Sequence, residues 1–357
     1  MKRIQLGNTV FEGRNDVYVF GADSGTTALV DTGVATPEGR EQLRDDLAEY
    51  DLSFADVDAI FLTHWHHDHV GLAGEIQAES GATVYVHEAD APMVESDVAG
   101  HEAEIEERNL FDEWGMPDEK AAELLDFLEL HDDIRGDRPT VETFADGDRF
   151  DLTEVELEAV HLPGHAAGLS GFEFGGDRGR ELLAGDALLP KYTPNVGGAD
   201  PRVEDPLGTY LDSLGRIIES DYARAWPGHR DPIDDPAGRA REIVAHHRER
   251  TERVVSVLRE RGAADPWTVS ADLFGELENI HVMHGPGEAW AHLDHLEREG
   301  FAEKREDGEY ELTGAGRELA EDDSALDATF AIVTESNGDS EAESKSEAGS
   351  NASAGGT

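Results

Sequence analysis

The segment THWHHDHVGL (63–72) places four histidines and one aspartate within six consecutive positions, directly after an apolar run that is typical of a buried strand. In an extended chain the side chains of residues i and i+2 point the same way, so His64 and His66 can reach one cation. Asp68 and His69 follow where the chain turns into a helix, and we expect them to face a second position close by. A single histidine is usually structural, but this spacing predicts a metal centre.

Three later segments carry further metal-ligand candidates at the ends of predicted strands. LPGHAAGLS holds His165 in a glycine-flanked loop, LLAGDALL holds Asp186, and WPGH holds His229. Each of these signals is weak alone, because Gly-His and Gly-Asp turns are common. Functional side chains collect at the edge where strands end, so we expect all three residues beside the histidine cluster.

The residue types restrict both the metal and the chemistry. The chain has no cysteine, so thiolate ligands and disulfides are excluded. Imidazole and carboxylate ligands suit two Zn²⁺ ions, and iron or manganese also fits such a ligand set. A bound metal lowers the pKa of water toward about 7, which makes hydroxide available for attack on a carbonyl or phosphoryl group. The sequence therefore predicts hydrolysis, with Asp68 as the carboxylate that takes up the proton.

These residues need a scaffold of strands whose ends meet at one edge. Apolar and β-branched runs predict short strands within 1–33, and further strands at 57–63, 82–87, 155–165, 169–174, 180–189 and 223–229. Helical spacing predicts helices at 37–50 and 205–221. The strand-rich segments form two halves of similar make-up. We therefore predict a layered α/β fold, one β-sandwich flanked by helices, over residues 1–235.

Other segments depart from this pattern of strands. Residues 88–140 are mostly helical by pattern and form an insertion, either a lid or substrate wall beside the site or packing filler. Over 236–320, a charged helix, further helices and a β-hairpin turning at Asp307-Gly308 predict a winged-helix-like domain. The tail at 335–357 is acidic and of low complexity, and we predict that it is disordered.

The chain is strongly acidic, with 29 Lys and Arg against 80 Asp and Glu and a formal net charge of -51. Such a surface repels itself in dilute buffer, whereas at about 1 M salt the Debye length of roughly 3 Å screens the repulsion. We therefore predict a protein of a salt-rich cytoplasm, as in a haloarchaeon. An acidic partner-binding surface is the alternative, but the acids are spread along the whole chain.

The N-terminal segment is too polar for a signal peptide, and no apolar run approaches the ~20 residues that a membrane helix needs. We therefore expect a cytoplasmic protein without a membrane partner.

The motifs H-x-H-x-D-H, P-G-H, G-D and P-G-H, in this order, resemble the motif set of the metallo-β-lactamase superfamily over roughly residues 3–250. The resemblance implies an αββα sandwich. It also implies two metal sites, the first held by His64, His66 and His165 and the second by Asp68, His69 and His229, with Asp186 bridging. Asp31, in ALVDTG, matches the first motif of the family, and its implied role is to orient the ligand loop.

Within this superfamily, glyoxalase II and related thioesterases cleave acyl thioesters. The thiol leaving group has a pKa of about 8.5 and departs without a general acid. This fits a site with no evident extra acid, so we expect a small acyl-thiol or ester as the substrate. The loop LLPKYTPNVGG looks like that of the wider group, which implies that Lys191, Tyr192 and Asn195 lie near the substrate.

Two alternative functions keep the same ligand residues. HRERTERVVSVLRERG and AWAHLDHLEREGFAEK resemble the C-terminal winged helix of the animal metallo-β-lactamase endoribonuclease, which would make single-stranded RNA the substrate. The would-be recognition helix, GEAWAHLDHLERE (287–299), carries four acids and one arginine, which disfavours phosphate binding. A winged helix also serves for packing or dimerisation, so a homodimer is a further expectation. A persulfide dioxygenase with one iron ion is the second alternative.

Overall fold

Two facing β-sheets form the centre of the computed structural model, which describes residues 1–7, 13–23, 25–95, 110–130, 135–319 and 324–331. The first sheet has the order β1-β2-β3-β4-β5-β6, with strands Lys2–Gln5, Asp16–Phe20, Ala28–Val30, Ala59–Phe61, Thr83–His87 and Val141–Phe144. The second has the order β11-β10-β9-β8-β7, where β7 to β11 are Arg149–Asp151, Glu156–His161, Ser170–Gly176, Gly179–Gly185 and Arg224–Pro227. The predicted α/β sandwich is confirmed.

Helices cover the outer faces of both sheets and build the C-terminal part of the molecule. In chain order, helices α1 to α6 are Pro37–Ala48, His67–Val70, Ala73–Ser80, Ala91–Glu95, Asp118–Leu130 and Pro206–Ser220. Helices α7 to α11 are Pro236–Arg261, Pro266–Phe274, His281–Arg298, Gly314–Glu318 and Ser324–Thr329. Helices α1, α6, α7 and α8 each begin with proline, and the preceding side chain accepts a hydrogen bond from a backbone N–H of the first turn. These helix starts follow directly from the Thr-Pro and Asp-Pro pairs in the sequence.

The alternation of side chains along β2 explains how the first sheet is enclosed. Val17 and Val19 belong to a buried cluster with Leu43 of α1. Tyr18 and Phe20, which point the opposite way, belong to the cluster between the two sheets. The central strands β2, β3 and β4 are buried on both faces, so they are almost entirely apolar instead of alternating with polar residues.

The outer face of the second sheet packs against α6 and shares its core with the C-terminal part of the chain. Leu182 of β10, Tyr210 and Leu214 of α6, and Leu293 of α9 lie in one buried cluster. The sandwich and the C-terminal helices therefore share one buried core, and α9 is linked to the second sheet through α6.

The C-terminal unit (262–319) contains a small sheet of order β12-β14-β13, with strands Ala263–Ala264, Tyr310–Leu312 and Ala302–Lys304. The helices α8 and α9 and the hairpin follow in the predicted order, and the winged-helix classification stays a prediction. Most of α9, the would-be recognition helix, is buried, including Val282 and Leu296. Little of its surface is therefore free to enter a nucleic-acid groove.

Several predicted strands are longer than the observed ones. The strand predicted at 57–63 is β4, Ala59–Phe61, and the one predicted at 180–189 is β10, Gly179–Gly185. In both cases the following residues leave the sheet as loops that carry ligand candidates. Strands β6 and β7 were missed, because most of their residues are exposed and their sequences, VETF and RFD, lack an apolar run.

The predicted helical insertion at 88–140 contains α4 and α5, and β6 begins directly after it. Residues 96–109 and 131–134 of the insertion and the predicted disordered tail at 335–357 lie outside the described residues. Within the described ranges, no helix is both long and apolar enough to cross a membrane.

Candidate metal centre

The seven ligand candidates lie in segments that follow strands of both sheets. His66 has an extended backbone and directly precedes α2, so the chain turns between His66 and Asp68. Strands β10 and β11 are parallel, and the Gly228 N–H donates to the Gly185 carbonyl at 2.8 Å. This pairing brings the residues that follow the two strands, Asp186 and His229, to the same edge.

His64, His66 and His165 form the first ligand group. His66 Nδ1 lies 2.9 Å from His64 Nε2 and 3.0 Å from His165 Nε2. Three imidazole nitrogens thus converge on one position, although His165 is about a hundred residues from the other two. The structure brings together the residues that the spacing and the resemblance had grouped.

Asp68, His69 and His229 form the second ligand group. Asp68 carboxylate oxygens lie 3.8 Å from His69 Nε2 and 3.4 Å from His229 Nε2. Asp186 stands between the two groups, with its oxygens 3.7 Å from His69 Nε2, 3.3 Å from His229 Nε2 and 3.7 Å from His165 Nε2. One carboxylate therefore reaches both groups, as a bridging ligand would.

The hydrogen bonds on the outer side of the first group fix the tautomers of its rings. His66 Nε2 lies 3.0 Å from the Ala199 carbonyl oxygen, and His165 Nδ1 lies 2.8 Å from the Asn195 carbonyl oxygen. A carbonyl only accepts, so these outer nitrogens carry the protons. The inward nitrogens of the neutral rings therefore carry no proton and present a lone pair to the centre.

The rings of the second group are held in the same way. His69 Nδ1 donates to Asp31 Oδ2 at 2.9 Å, and His229 Nδ1 donates to the Gly13 carbonyl at 3.0 Å. Their Nε2 atoms face the two carboxylates of the centre, and neither carries a proton when the ring is neutral. The hydrogen-bond pattern is typical of histidines that bind metal through the opposite nitrogen.

Asp31 sets the orientation of both His64 and His69 without entering either ligand group. Its carboxylate accepts from the Thr63 backbone N–H at 2.8 Å and from Thr63 Oγ1 at 2.9 Å. Because the threonine hydroxyl donates to Asp31, His64 Nδ1 must donate to Thr63 Oγ1, which lies 3.0 Å away. Asp31 itself has a left-handed backbone, with φ at 59°, in keeping with a strained position at a functional site.

The centre is buried, and two of its polar atoms lack hydrogen-bond partners. His69 Nε2 and Asp186 Oδ1 are buried and lack a hydrogen-bond partner within the described part of the chain. Lone pairs and carboxylates at such distances repel one another unless a cation lies between them. The residues present therefore fit divalent metal ions, and a set of imidazole and carboxylate ligands accommodates zinc, iron or manganese.

Without metal, the histidines of the two ligand groups differ in the direction of their pKa shifts. Burial lowers the pKa of His64, His66 and His165, so these rings are neutral near pH 7. Burial also opposes charge on His69 and His229, but the nearby aspartates outweigh it. They raise the pKa of His69 well above its ordinary range and that of His229 to about 9. The second group therefore attracts positive charge strongly.

A buried ion-pair network behind the first group was not apparent from the sequence. Arg202 Nη2 lies 2.7 Å from Asp90 Oδ1 and 2.6 Å from Asp200 Oδ2. Asp90 also accepts from the Trp65 backbone N–H at 3.1 Å, and Asp200 accepts from Trp65 Nε1 at 3.1 Å. The network fixes Trp65, which stands between His64 and His66 in the chain.

The predicted substrate residues lie in the loop after β10. Tyr192 is 43% exposed, and Lys191 Nζ and the Arg230 guanidinium lie 5.0 and 4.9 Å from its ring centre. Lys191 and Tyr192 are therefore exposed, and Tyr192 lies next to Arg230, the residue that follows His229. The side chain of Asn195 is engaged elsewhere, since its amide bonds the His284 carbonyl at 3.0 Å and the Gly198 N–H at 3.1 Å. Substrate contact by these residues stays a prediction.

A separate group of ligand-type residues, His247, Glu288 and His292, lies between α7 and α9. Glu288 forms an ion pair with Arg250, and Thr251 Oγ1 lies 2.7 Å from His292 Nδ1. Because the carboxylate already has a cationic partner, we interpret this group as a polar network that joins the two helices.

The sandwich and its His/Asp centre define a metallo-hydrolase. The chain belongs to the Metallo-beta-lactamase superfamily, whose sequence profile matches residues 10–229. It is similar to the Probable metallo-hydrolase YqjP of Bacillus subtilis, with 27% identity over 80% of this chain and 88% of that protein. A metallo-beta-lactamase family protein from Thermus thermophilus superposes with a TM-score of 0.72 and 29% identity, covering 87% of this chain and 98% of that one. An Atrochrysone carboxyl ACP thioesterase from Aspergillus chevalieri is 25% identical over 71% of this chain and 63% of its own length.

Proposed function

We propose that this metallo-hydrolase is a binuclear zinc enzyme that cleaves thioesters or small esters, in the manner of glyoxalase II. The convergence of five imidazole nitrogens and two carboxylates on two adjacent positions carries the proposal. Bound zinc would polarise the substrate carbonyl and make hydroxide available near neutral pH.

The residues of the centre divide the work of binding and proton transfer. The first ion would be held by His64, His66 and His165, the second by Asp68, His69 and His229, and both by Asp186. Asp68 has the further role of proton acceptor. Burial opposes its ionised form, but the adjacent His69 and His229 outweigh this and lower its pKa, so the carboxylate is available as a base. Asn15 Nδ2 donates to Asp68 Oδ2 at 3.2 Å and holds it in place.

The preference for a thioester rests on the leaving group and on a relative. A thiolate departs without protonation, and both carboxylates of the described centre, Asp68 and Asp186, are already assigned as metal ligands. The name of the relative from Aspergillus chevalieri describes a thioesterase. We extend the thioester class to this chain, and not the particular acyl group or carrier.

The two alternative functions require different features of the protein. Cleavage of single-stranded RNA needs a cationic surface, and α9, which the sequence suggested as a recognition helix, is acidic and largely buried. Persulfide oxidation needs one iron ion, which the first ligand group with Asp186 suffices to hold. Metal content and substrate therefore separate all three functions.

The test uses full-length protein purified in molar KCl, with bound metals measured by mass spectrometry. Hydrolysis of an S-acyl thiol and cleavage of a single-stranded RNA are compared on the same sample and on His66→Ala. We expect about two zinc ions per chain and thioester turnover that the substitution abolishes. RNA cleavage without thioester turnover would favour the nuclease. A single iron with neither activity would exclude the hydrolase and favour the dioxygenase.

A further inference from the structure

We propose that the C-terminal unit controls the metal affinity of the first ligand group, and only of that group, through Asn195. The inference rests on the proposed binuclear centre. It gives the C-terminal helices a role at the site that requires neither nucleic acid nor a partner protein. Asn195 is a positioning residue in this proposal and touches neither metal nor substrate through its side chain.

Two of the three outer hydrogen bonds of the first group end on a single loop. His66 donates to the Ala199 carbonyl and His165 donates to the Asn195 carbonyl, at 3.0 and 2.8 Å. The loop 195–199 thus orients two of the three imidazoles of the first group. The rings of the second group depend on Asp31 and Gly13, which lie in a different part of the sandwich.

The side chain of Asn195 connects this loop to α9. Its Nδ2 donates to the His284 carbonyl at 3.0 Å, and its Oδ1 accepts from the Gly198 N–H at 3.1 Å. One amide therefore closes the loop on itself and fastens it to the first turn of α9. The amide supplies both the donor and the acceptor that these two bonds need.

Glycines allow the loop and α9 to approach backbone to backbone. A Cβ at Gly287 would lie 2.3 Å from Gly198 Cα, and a Cβ at Gly197 would lie 2.5 Å from the Gly287 carbonyl oxygen. Real Cβ atoms do not approach other heavy atoms so closely, and backbone atoms cannot turn away as a side chain can. The loop position is therefore set by α9, and a methyl group at residue 287 must displace it.

Displacement of the loop has unequal consequences for the two groups. His66 and His165 would lose the carbonyls that fix their tautomers and ring angles, while His69 and His229 would keep theirs. Loss of such outer hydrogen bonds typically weakens metal binding by about 10–100-fold. The first metal would then dissociate while the second remained.

The experiment titrates Zn²⁺ into metal-free, full-length protein by calorimetry in molar KCl. Wild type should show two binding events, and Asn195→Ala should weaken one of them by about 10–100-fold with the other unchanged. Asn195→Asp retains the acceptor for Gly198 but has no donor for the His284 carbonyl, so it isolates the link to α9 and should behave like Asn195→Ala. Gly287→Ala should do the same.

A spectroscopic readout identifies the site that is lost. Among the five imidazoles of the centre, His66 alone turns Nδ1 inward. Long-range ¹H–¹⁵N spectra of histidine-labelled protein distinguish a ring bound through Nδ1 from one bound through Nε2. The Nδ1-bound pattern should be present in wild type at two equivalents of Zn²⁺ and absent from Asn195→Ala at Zn²⁺ concentrations that still fill the second site.

Two control variants complete the design. Gly314→Ala places a Cβ in open space on the same unit and should leave both affinities unchanged. Asn15→Ala removes the donor to Asp68 and should weaken the second event instead. Two events of wild-type affinity in Asn195→Ala and Asn195→Asp would overturn this inference and leave the proposed function intact. A wild type that binds no metal would overturn the proposed function and this inference with it.

Discussion

Asp31 and His69 lie 38 residues apart in the chain, yet the Asp31 carboxylate accepts the Nδ1 proton of His69 at 2.9 Å. The same carboxylate also receives two hydrogen bonds from Thr63, so one buried side chain supports a ligand of each group. A single carboxylate outside the ligand set therefore determines the direction of ligands in both.

Replacement of this carboxylate should weaken both metal sites. We expect Asp31→Ala to reduce metal affinity by about 10–100-fold and to cost about 1–3 kcal/mol of unfolding free energy, because the Thr63 N–H is left buried without an acceptor. Calorimetric titration and denaturant unfolding measure the two effects. Glu38→Ala, on the exposed first turn of α1, serves as the control, and equal affinities in the two variants would contradict the role of Asp31.

The Arg202 network should be a major source of stability. Arg202→Leu leaves two buried carboxylates, Asp90 and Asp200, without their cation. Removal of one partner from such a buried pair costs about 3–5 kcal/mol, which guanidinium unfolding would measure. Arg216→Leu breaks an ion pair whose side chains are 42% and 47% exposed, and it should cost less than about 1 kcal/mol. Similar losses in both variants would refute the assignment.

The stacked rings of His87 and His161 predict a pH dependence of stability. Their centroids lie 4.0 Å apart at an interplanar angle of 8°. Burial, with the charge of His161 as the next cause, lowers the pKa of His87 to about 4. The unfolded chain, with a histidine pKa of about 6.5, then binds more protons than the folded one between these values. The contribution of His87 to the free energy of unfolding should therefore be complete above pH 6.5, and it should fall as the pH drops toward 4.

The variant His87→Gln isolates this contribution, because the metal ligands titrate alike in both proteins. Denaturant unfolding at several pH values should give a shallower slope for the variant across that window. Parallel curves for the variant and wild type would show that His87 does not titrate as described.

The net charge of -51 predicts that salt stabilises the fold. Raising KCl from about 0.1 M to about 1 M shortens the Debye length from roughly 10 Å to 3 Å and removes most of the repulsion between surface acids. The thermal midpoint should rise by several degrees over this range. A neutral osmolyte at matched osmolality controls for exclusion effects, and an equal rise with it would point away from charge screening.

The spacing and the family resemblance together were sufficient to predict which side chains lie together, and their role as metal ligands stays a prediction. His64 and His66 share a side through their i, i+2 spacing, and the turn into α2 separates them from Asp68 and His69. His165, Asp186 and His229 each follow a strand, and strands are recognisable from apolar runs. The sandwich followed from the same runs.

The supports of the centre could not be predicted, because they depend on contacts between distant segments. Asp90, Asp200 and Arg202 meet across more than a hundred residues, and none has a motif. Asn195 was expected near the substrate, and its hydrogen bonds to α9 and to its own loop could not be predicted, because they depend on the approach of a distant helix.

The ring nitrogen that faces the metal centre is Nδ1 in His66 and Nε2 in the other four imidazoles. This difference determines which amino acid could best replace each histidine. Nδ1 lies as many bonds from Cα as the terminal atoms of asparagine, whereas Nε2 lies one bond farther, at the reach of glutamine. An engineered or naturally diverged centre that trades imidazoles for amides would therefore keep its ligand atoms in place with asparagine at position 66 and glutamine at the other four. Five histidines that look alike in the sequence thus have two different nearest substitutes.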